Sequence, residues 1–126
     1  MTADNAKKTS RFIKLCDQFN IPIISLVDEP GFLIGPEAEK DATILHGTEA
    51  VLAAVDSSVP WCSGQIRKSF GVGSAAHFGP ESYVLAWPSS EAGPLPLEGG
   101  IAIAFGKEIA QAEDPESKRK EIEEKS

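Results

Sequence analysis

The sequence predicts an α/β fold, layered around a parallel sheet, and three observations carry that expectation. Ile21 to Val27 is an almost unbroken apolar run, the pattern of a strand covered on both faces. Apolar runs of strand length alternate with stretches of helical periodicity, which implies right-handed β-α-β units. A glycine-rich turn, Gly71-Val72-Gly73-Ser74, follows a second strand-like run ending at Arg67-Lys68. A strand turning sharply through glycines into a short helix leaves backbone N–H groups pointing into open space, without acceptors inside the helix. Such groups suit a developing negative charge on a carbonyl oxygen.

The elements follow in order. Asp4 to Phe19 reads as an amphipathic helix whose apolar stripe is Phe12, Leu15, Cys16 and Phe19, with Thr2 or Asp4 as N-cap. Asn20 ends it, and Ile21 to Val27 is the first strand, with Pro22 confined to its first residue or edge. Asp28-Glu29-Pro30-Gly31 is a turn at the strand's carboxyl end, and Phe32 to Gly35 is loop. From Pro36 a second helix is expected to run to about Ser57, burying Ile44, Val51, Leu52 and Val55. Val59-Pro60 leads into a strand from Trp61 to Arg67, and Tyr83 to Trp87 is a further strand stopped by Pro88. Pro94-Leu95-Pro96-Leu97 must be extended, because each proline disfavours helix in its predecessor. Glu98 opens a helix that places Leu97, Ile101, Ala104, Phe105 and Ala112 on one face. The expected division is a domain over residues 1–114 and a charged tail, solvated helix or disordered, over residues 115–126.

Composition excludes several function classes. A net charge of −7 argues against a surface for nucleic acid or anionic membrane, which needs clustered Lys and Arg. Cys16 and Cys62 stand far apart without metal-ligand spacing, so two free thiols and no metal are expected. Without a secretory apolar segment or a run of about 18 apolar residues, a cytoplasmic protein is expected.

The order of motifs is informative beyond its parts. Phe19-Asn20-Ile21-Pro22-Ile23-Ile24-Ser25-Leu26-Val27-Asp28-Glu29-Pro30-Gly31-Phe32 is followed by Gly35-Pro36-Glu37-Ala38-Glu39, Leu45-His46-Gly47 and Val59-Pro60. Then come Arg67-Lys68-Ser69-Phe70-Gly71, Ala86-Trp87-Pro88 and Leu97-Glu98-Gly99. This series resembles the carboxyltransferase subunit (beta chain) of biotin-dependent acyl-CoA carboxylases of the propionyl-, acetyl- and methylcrotonyl-CoA type. The likeness is to the middle of the C-terminal half, from about Ala3 to Lys120. It implies a partial or reduced crotonase/ClpP-like layered fold that lacks an early strand and the closing elements.

The resemblance further implies transfer of a carboxyl group from carboxybiotin, on a carrier protein, to an acyl-CoA. Carried over by position, the backbone amides of Val72 and Gly73 form the biotin-side oxyanion hole. Gly71, Phe32, Gly35 and Pro36 contact the biotin cofactor, and Ala75 influences the acyl-chain preference. The partners it implies are acyl-CoA, the biotinylated carrier and a complementary N-terminal half, in a homo-oligomer. A non-catalytic module that folds and self-associates without turnover stays open as the alternative. A hydratase or isomerase of the same fold would need a catalytic Glu behind the turn, where only Glu81 stands, beyond Pro80.

Other titratable residues receive plainer roles. His46 is expected to be a packed or capping imidazole, whereas His77, close to the glycine turn, is a candidate ligand contact. Turn and helix N-terminal roles account for Asp28, Glu29 and Glu98. Gly73→Val is expected to abolish any biotin-dependent activity, through lost N–H approach, while sparing the fold.

Overall fold

The computed structural model describes residues 1–112 and 114–125, the side chains of Leu97, Glu98, Glu124 and Lys125 excepted. The chain divides into two compact units, Met1–Pro94 and Leu95–Ser126.

In the first unit, α1 spans Ala3–Gln18, with the Thr2 hydroxyl accepting the Asn5 N–H at its start. It ends in a Schellman motif: Asn20 is left-handed at φ 53°, the Ile21 N–H reaches the Cys16 carbonyl at 2.8 Å, and the Asn20 N–H reaches that of Asp17. Strand β1 is Ile23–Glu29, so Pro22 precedes the ladder and costs it nothing. The single long helix expected after Pro36 is two: α2, Pro36–Lys40, and α3, Thr43–Val55. Ala42 separates them in a left-handed conformation, φ 54°, which reorients α3. Strand β2, Trp61–Phe70, runs straight into α4, Gly71–Ala75. Strand β3 is Tyr83–Ala86, and a short β4, Glu91–Gly93, was not expected from the sequence.

All pairings are parallel. β2 is central, with β1 on one side and, on the other, β3 beside its first half and β4 beside its end. Ile23 pairs with Trp61, Ser25 with Ser63 and Glu29 with Ser69, while the register slips between Val27 and Glu29. The slip frees the Lys68 N–H, and the Asp28 carboxylate accepts it at 3.2 Å.

The helix faces that pack differ from those expected. On α1 the buried residues are Ala3, Ala6, Ser10, Ile13 and Cys16, whereas Phe12, Leu15 and Phe19 are half or more exposed. On α3 they are Thr43, Gly47, Ala50, Ala53 and Ala54, with Ile44, Leu52 and Val55 exposed. Both buried stripes recur at helical spacing, mostly steps of three and four, along largely small residues. That spacing lets α1 and α3 approach closely and pack ridge into groove. Two clusters result: Ile13, Cys16, Ile23, Ala53, Ala54, Val59 and Trp61, and a second of Ala6, Ala50 and Ala76. The Trp61 indole N–H donates to Ser57 Oγ at 2.7 Å, and its ring lies against Gly79, where no Cβ would fit. At the other end of α1, Asp17 accepts both the N–H and the hydroxyl of Ser58, tying the helix to the turn before β2.

The sheet is covered on one face only. Along β1, Ile23 and Val27 are buried, while Ile24 is 76% and Leu26 64% exposed. The expectation of a strand covered on both faces therefore fails in this chain.

The second unit pairs α5, Leu97–Gln111, with α6, Pro115–Lys125. Pro96 is extended ahead of α5, as its sequence requires. Of the face expected on α5, Ile101 is buried, Ala104 and Phe105 are exposed, and the Leu97 side chain lies outside the described residues. The charged tail is helical, with Ile122 buried and Lys118 reaching Glu108 and Glu121.

Candidate functional site

The glycine turn sits at the carboxyl end of the central strand, where ligands of parallel α/β sheets bind. Phe70 is still extended, and Gly71 then turns with φ +64°, a conformation that favours glycine. α4 starts there without a side-chain cap, so the N–H groups of its first turn, Val72 and Gly73 included, have no acceptor within the helix. Val72 is exposed and Gly73 buried. Ser74 bonds its hydroxyl to the Gly71 carbonyl at 2.9 Å, which stiffens the turn. Ala75 closes the short helix half-buried.

Of the other residues carried over from the resemblance, Phe32 comes closest to the turn. A Cβ on Gly73 would stand 3.0 Å from the Gly31 carbonyl carbon and 3.1 Å from the Phe32 nitrogen. A Cβ at position 73 would press on backbone rather than on a yielding side chain, so Gly73→Val is expected to cost stability as well as disturb the turn, which revises the expectation that it spares the fold. The Phe32 ring lies against Gly47 of α3, a position with no room for a Cβ. Gly35, at φ +115°, and Pro36 open α2, where Gly35 borders a separate hollow of about 80 Å³ with Leu33, Ile34 and Ala38.

Glu29 is more than a turn residue. It is buried; its Oε1 accepts the Gly31 N–H at 3.1 Å and faces the Met1 ammonium at 2.7 Å. The ammonium also donates to the Gly31 carbonyl, and the Leu33 N–H to the Met1 carbonyl. The segment that presses on Gly73 is thus anchored by a buried carboxylate. Oε2 of Glu29 lies 4.0 Å from His77 Nε2, and His77 Nδ1 lies 3.0 Å from Ser25 Oγ. Burial holds His77 below its ordinary pKa, opposed by Glu29 and assisted by the Met1 ammonium. His46, by contrast, meets Glu49 one turn on, at 3.1 Å, on the surface of α3. Asp28 reaches Arg67 at 3.8 Å, Glu81 is an exposed left-handed turn residue, and the Glu98 side chain lies outside the described residues.

Sequence reasoning passed over Ser25 and undervalued Glu29. Ser25 and His77 are 52 positions apart, and only the parallel register brings them together. Among the described residues no three His, Cys, Asp or Glu side chains group as metal ligands, and no helix is long and apolar enough to cross a membrane.

A central parallel strand turning through glycine into an uncapped helix, with helices on one face, defines part of a crotonase-like fold. Comparison with known proteins gives the family. The chain belongs to the carboxyl transferase domain family, whose pattern it matches over residues 1–126. It is 36% identical over 121 residues to the carboxyltransferase subunit of propionyl-CoA carboxylase from Haloferax mediterranei, covering 93% of this chain and 23% of that protein. To the methylmalonyl-CoA carboxyltransferase 12S subunit of Propionibacterium freudenreichii subsp. shermanii it is 39% identical over 118 residues, covering 90% and 22%. Among solved structures, the transcarboxylase 12S hexamer with methylmalonyl-coenzyme A and methylmalonic acid bound superposes with a TM-score of 0.85 at 35% identity, covering 99% of this chain and 25% of that one. The beta subunit of P. aeruginosa geranyl-CoA carboxylase gives 0.82 at 28% identity, covering 98% and 24%. The chain therefore spans about a quarter of the length of the relatives it matches.

Proposed function

We propose that this chain is a piece of a biotin-dependent acyl-CoA carboxyltransferase and supplies the oxyanion hole on the biotin side. The observation that carries this reading is the turn at the end of β2. A left-handed Gly71 starts an uncapped helix, and the N–H groups of Val72 and Gly73 lie in its first turn. Bound there, carboxybiotin would supply the carboxyl group, and the N–H groups of Val72 and Gly73 would face its ureido oxygen, where negative charge would have to be held. Preorganised backbone N–H groups stabilise that charge without reorganising, and removing one donor from a site of this kind typically slows a reaction about 100-fold or more. Gly71 lets the chain turn tightly, and Gly73 lets the Gly31–Phe32 backbone close behind the hole. Ala75, small and half-buried behind the turn, leaves room for a larger acyl group than a bulky residue would.

The names of the relatives support the chemistry: propionyl-CoA carboxylase, methylmalonyl-CoA carboxyltransferase, and a biotin-dependent acetyl-/propionyl-coenzyme A carboxylase beta5 subunit from Mycobacterium leprae. The acyl-CoA, the biotinylated carrier and a complementary half in a homo-oligomer complete the proposed assembly. The test is a titration of biocytin into the isotope-labelled chain, followed through its backbone amides. Displacement of the Val72 and Gly73 signals is expected. A dispersed spectrum in which neither moves would overturn the assignment in favour of a module that folds without turnover.

A further inference from the structure

A second constellation, adjoining the glycine turn but built from other side chains, lies over the covered face of the sheet. Ser25 and Ser63 are register partners on β1 and β2, and His77 sits on both. The Ser63 hydroxyl donates to the His77 carbonyl at 2.8 Å and fixes its backbone, while Ser25 Oγ meets the imidazole Nδ1 at 3.0 Å. On the far side of the ring, 4.0 Å from Nε2, is Glu29 Oε2; the other oxygen of that carboxylate is engaged by Gly31 and Met1. A carboxylate on that side favours the tautomer with the proton on Nε2. Nδ1 is then the acceptor, and the Ser25 proton points at it. Burial keeps the imidazole neutral near pH 7, the form able to take that proton.

Ser25 and His77 border a cleft of about 310 Å³, otherwise largely apolar: Phe12, Ile13, Ile23, Ile24 and Trp61 line it. Asn5 and Lys8, from α1, are also at its wall and bring N–H donors for an anionic oxygen. The volume lies within the range of small-ligand sites, and an apolar cleft with a few convergent polar groups is their usual make-up.

We propose that Ser25, His77 and Glu29 form a nucleophile–base–orienter array, and that the cleft takes esters or thioesters of short apolar acids. In acylation, Ser25 Oγ bonds to the acyl carbon while its proton passes to His77 Nδ1. The bond to the leaving alkoxide or thiolate breaks, and that group departs with the proton. Water then attacks the seryl ester, giving a proton to Nδ1. Ser25 leaves the acyl carbon and takes the proton back, so the acid is released and the array restored. Glu29 takes no proton; it holds the tautomer, the part a buried carboxylate plays in Ser-His-Asp hydrolases. The inference stands apart from carboxyl transfer.

The experiment uses the whole chain and an organophosphorus fluoride, which phosphonylates activated serines and releases fluoride. Labelled sites are mapped by mass spectrometry of peptides. Ser25 is expected to carry the adduct, and His77→Gln to slow its formation by about 100-fold or more, the usual share of a general base. In parallel, Ser25→Ala is expected to abolish hydrolysis of p-nitrophenyl butyrate. An unlabelled Ser25, or labelling as fast in His77→Gln as in the parent chain, would overturn the proposal. So would ester hydrolysis unchanged in Ser25→Ala, a substitution small enough to leave the strand intact.

Discussion

The two faces of the sheet are built from the same strands and the same kinds of residue, yet they have different fates. On one, Ile23 and Val27 from β1 and Trp61 from β2 are buried beneath α1 and α3. On the other, Ile24 and Leu26 stand exposed, Leu26 and Trp87 lie over Gly64, and Tyr83 and Leu85 of β3, register partners of Cys62 and Gly64, are open. Burying a side chain such as Ile or Leu is worth about 1.5–3 kcal/mol, so the open face holds unused driving force. Contiguous apolar surface of this kind marks a face suited to further protein. The difference between the faces is one of cover, not of strand chemistry, and substitutions can separate them.

The largest effect is expected on the covered side. Ile13→Ala removes a side chain 2% exposed at the centre of the main cluster. It should lower unfolding stability by about 2–5 kcal/mol, measured by urea denaturation. Gly73→Val comes next. Its Cβ meets the backbone of Gly31 and Phe32, which cannot give way as a side chain would. A loss of about 1–3 kcal/mol is expected, and unchanged stability would show that the turn does not press on that segment.

A pH effect belongs to the covered face as well. His77 is depressed in the folded state by burial, with Glu29 opposing and the Met1 ammonium reinforcing. Its contribution is therefore fully present above its unfolded pKa, about 6.5. It declines as pH falls from there through the lower folded value, because the unfolded chain binds the proton first. His77→Gln should flatten this part of the stability–pH curve, and a curve identical to the parent's would refute the assignment.

The smallest change in stability is expected on the open face. Ile24→Ser and Leu26→Ser should each shift unfolding by no more than about 0.5 kcal/mol, as for surface positions without special partners. Their effect should show instead in association. Sedimentation of the parent chain should give species larger than a monomer at high concentration, and the double substitution should reduce them. A clean parent monomer would contradict that use of the open face.

The sequence legibly placed the first helix, the three main strands, the glycine turn and the extended Pro96, because these rest on local chemistry, though Leu97, expected to be extended, already opens α5. An Asn at a helix end, Pro ahead of a strand and glycines after one act within a few residues of themselves. The motif series also pointed to the carboxyl transferase family. What the sequence misjudged was which helix face is buried. Hydrophobicity favoured Phe12, Leu15 and Phe19, but Ala3, Ala6, Ser10 and Ile13 recur with steps of three and four, and of these Ala6 clusters with Ala50 of α3 and Ile13 with Ala53 and Ala54. Small residues win such a contact because they allow two helices to approach closely, and that gain exists only when the partner is present. The break at Ala42 was equally hidden, since nothing about alanine announces a left-handed residue.

The site divides in the same way. The amino-acid order alone determined the Gly71–Ser74 turn and its place after a strand, since positive φ and freed N–H groups are local consequences of glycine. Tertiary structure decided that the Gly31–Phe32 backbone rests on Gly73, that Glu29 is a buried anchor, and that Ser25 faces His77. Those contacts span from 2 to 52 positions, and the longer ones depend on the parallel register of β1 and β2 and the path of α4 above them. Only once the chain is folded do distances through space replace distances along the sequence.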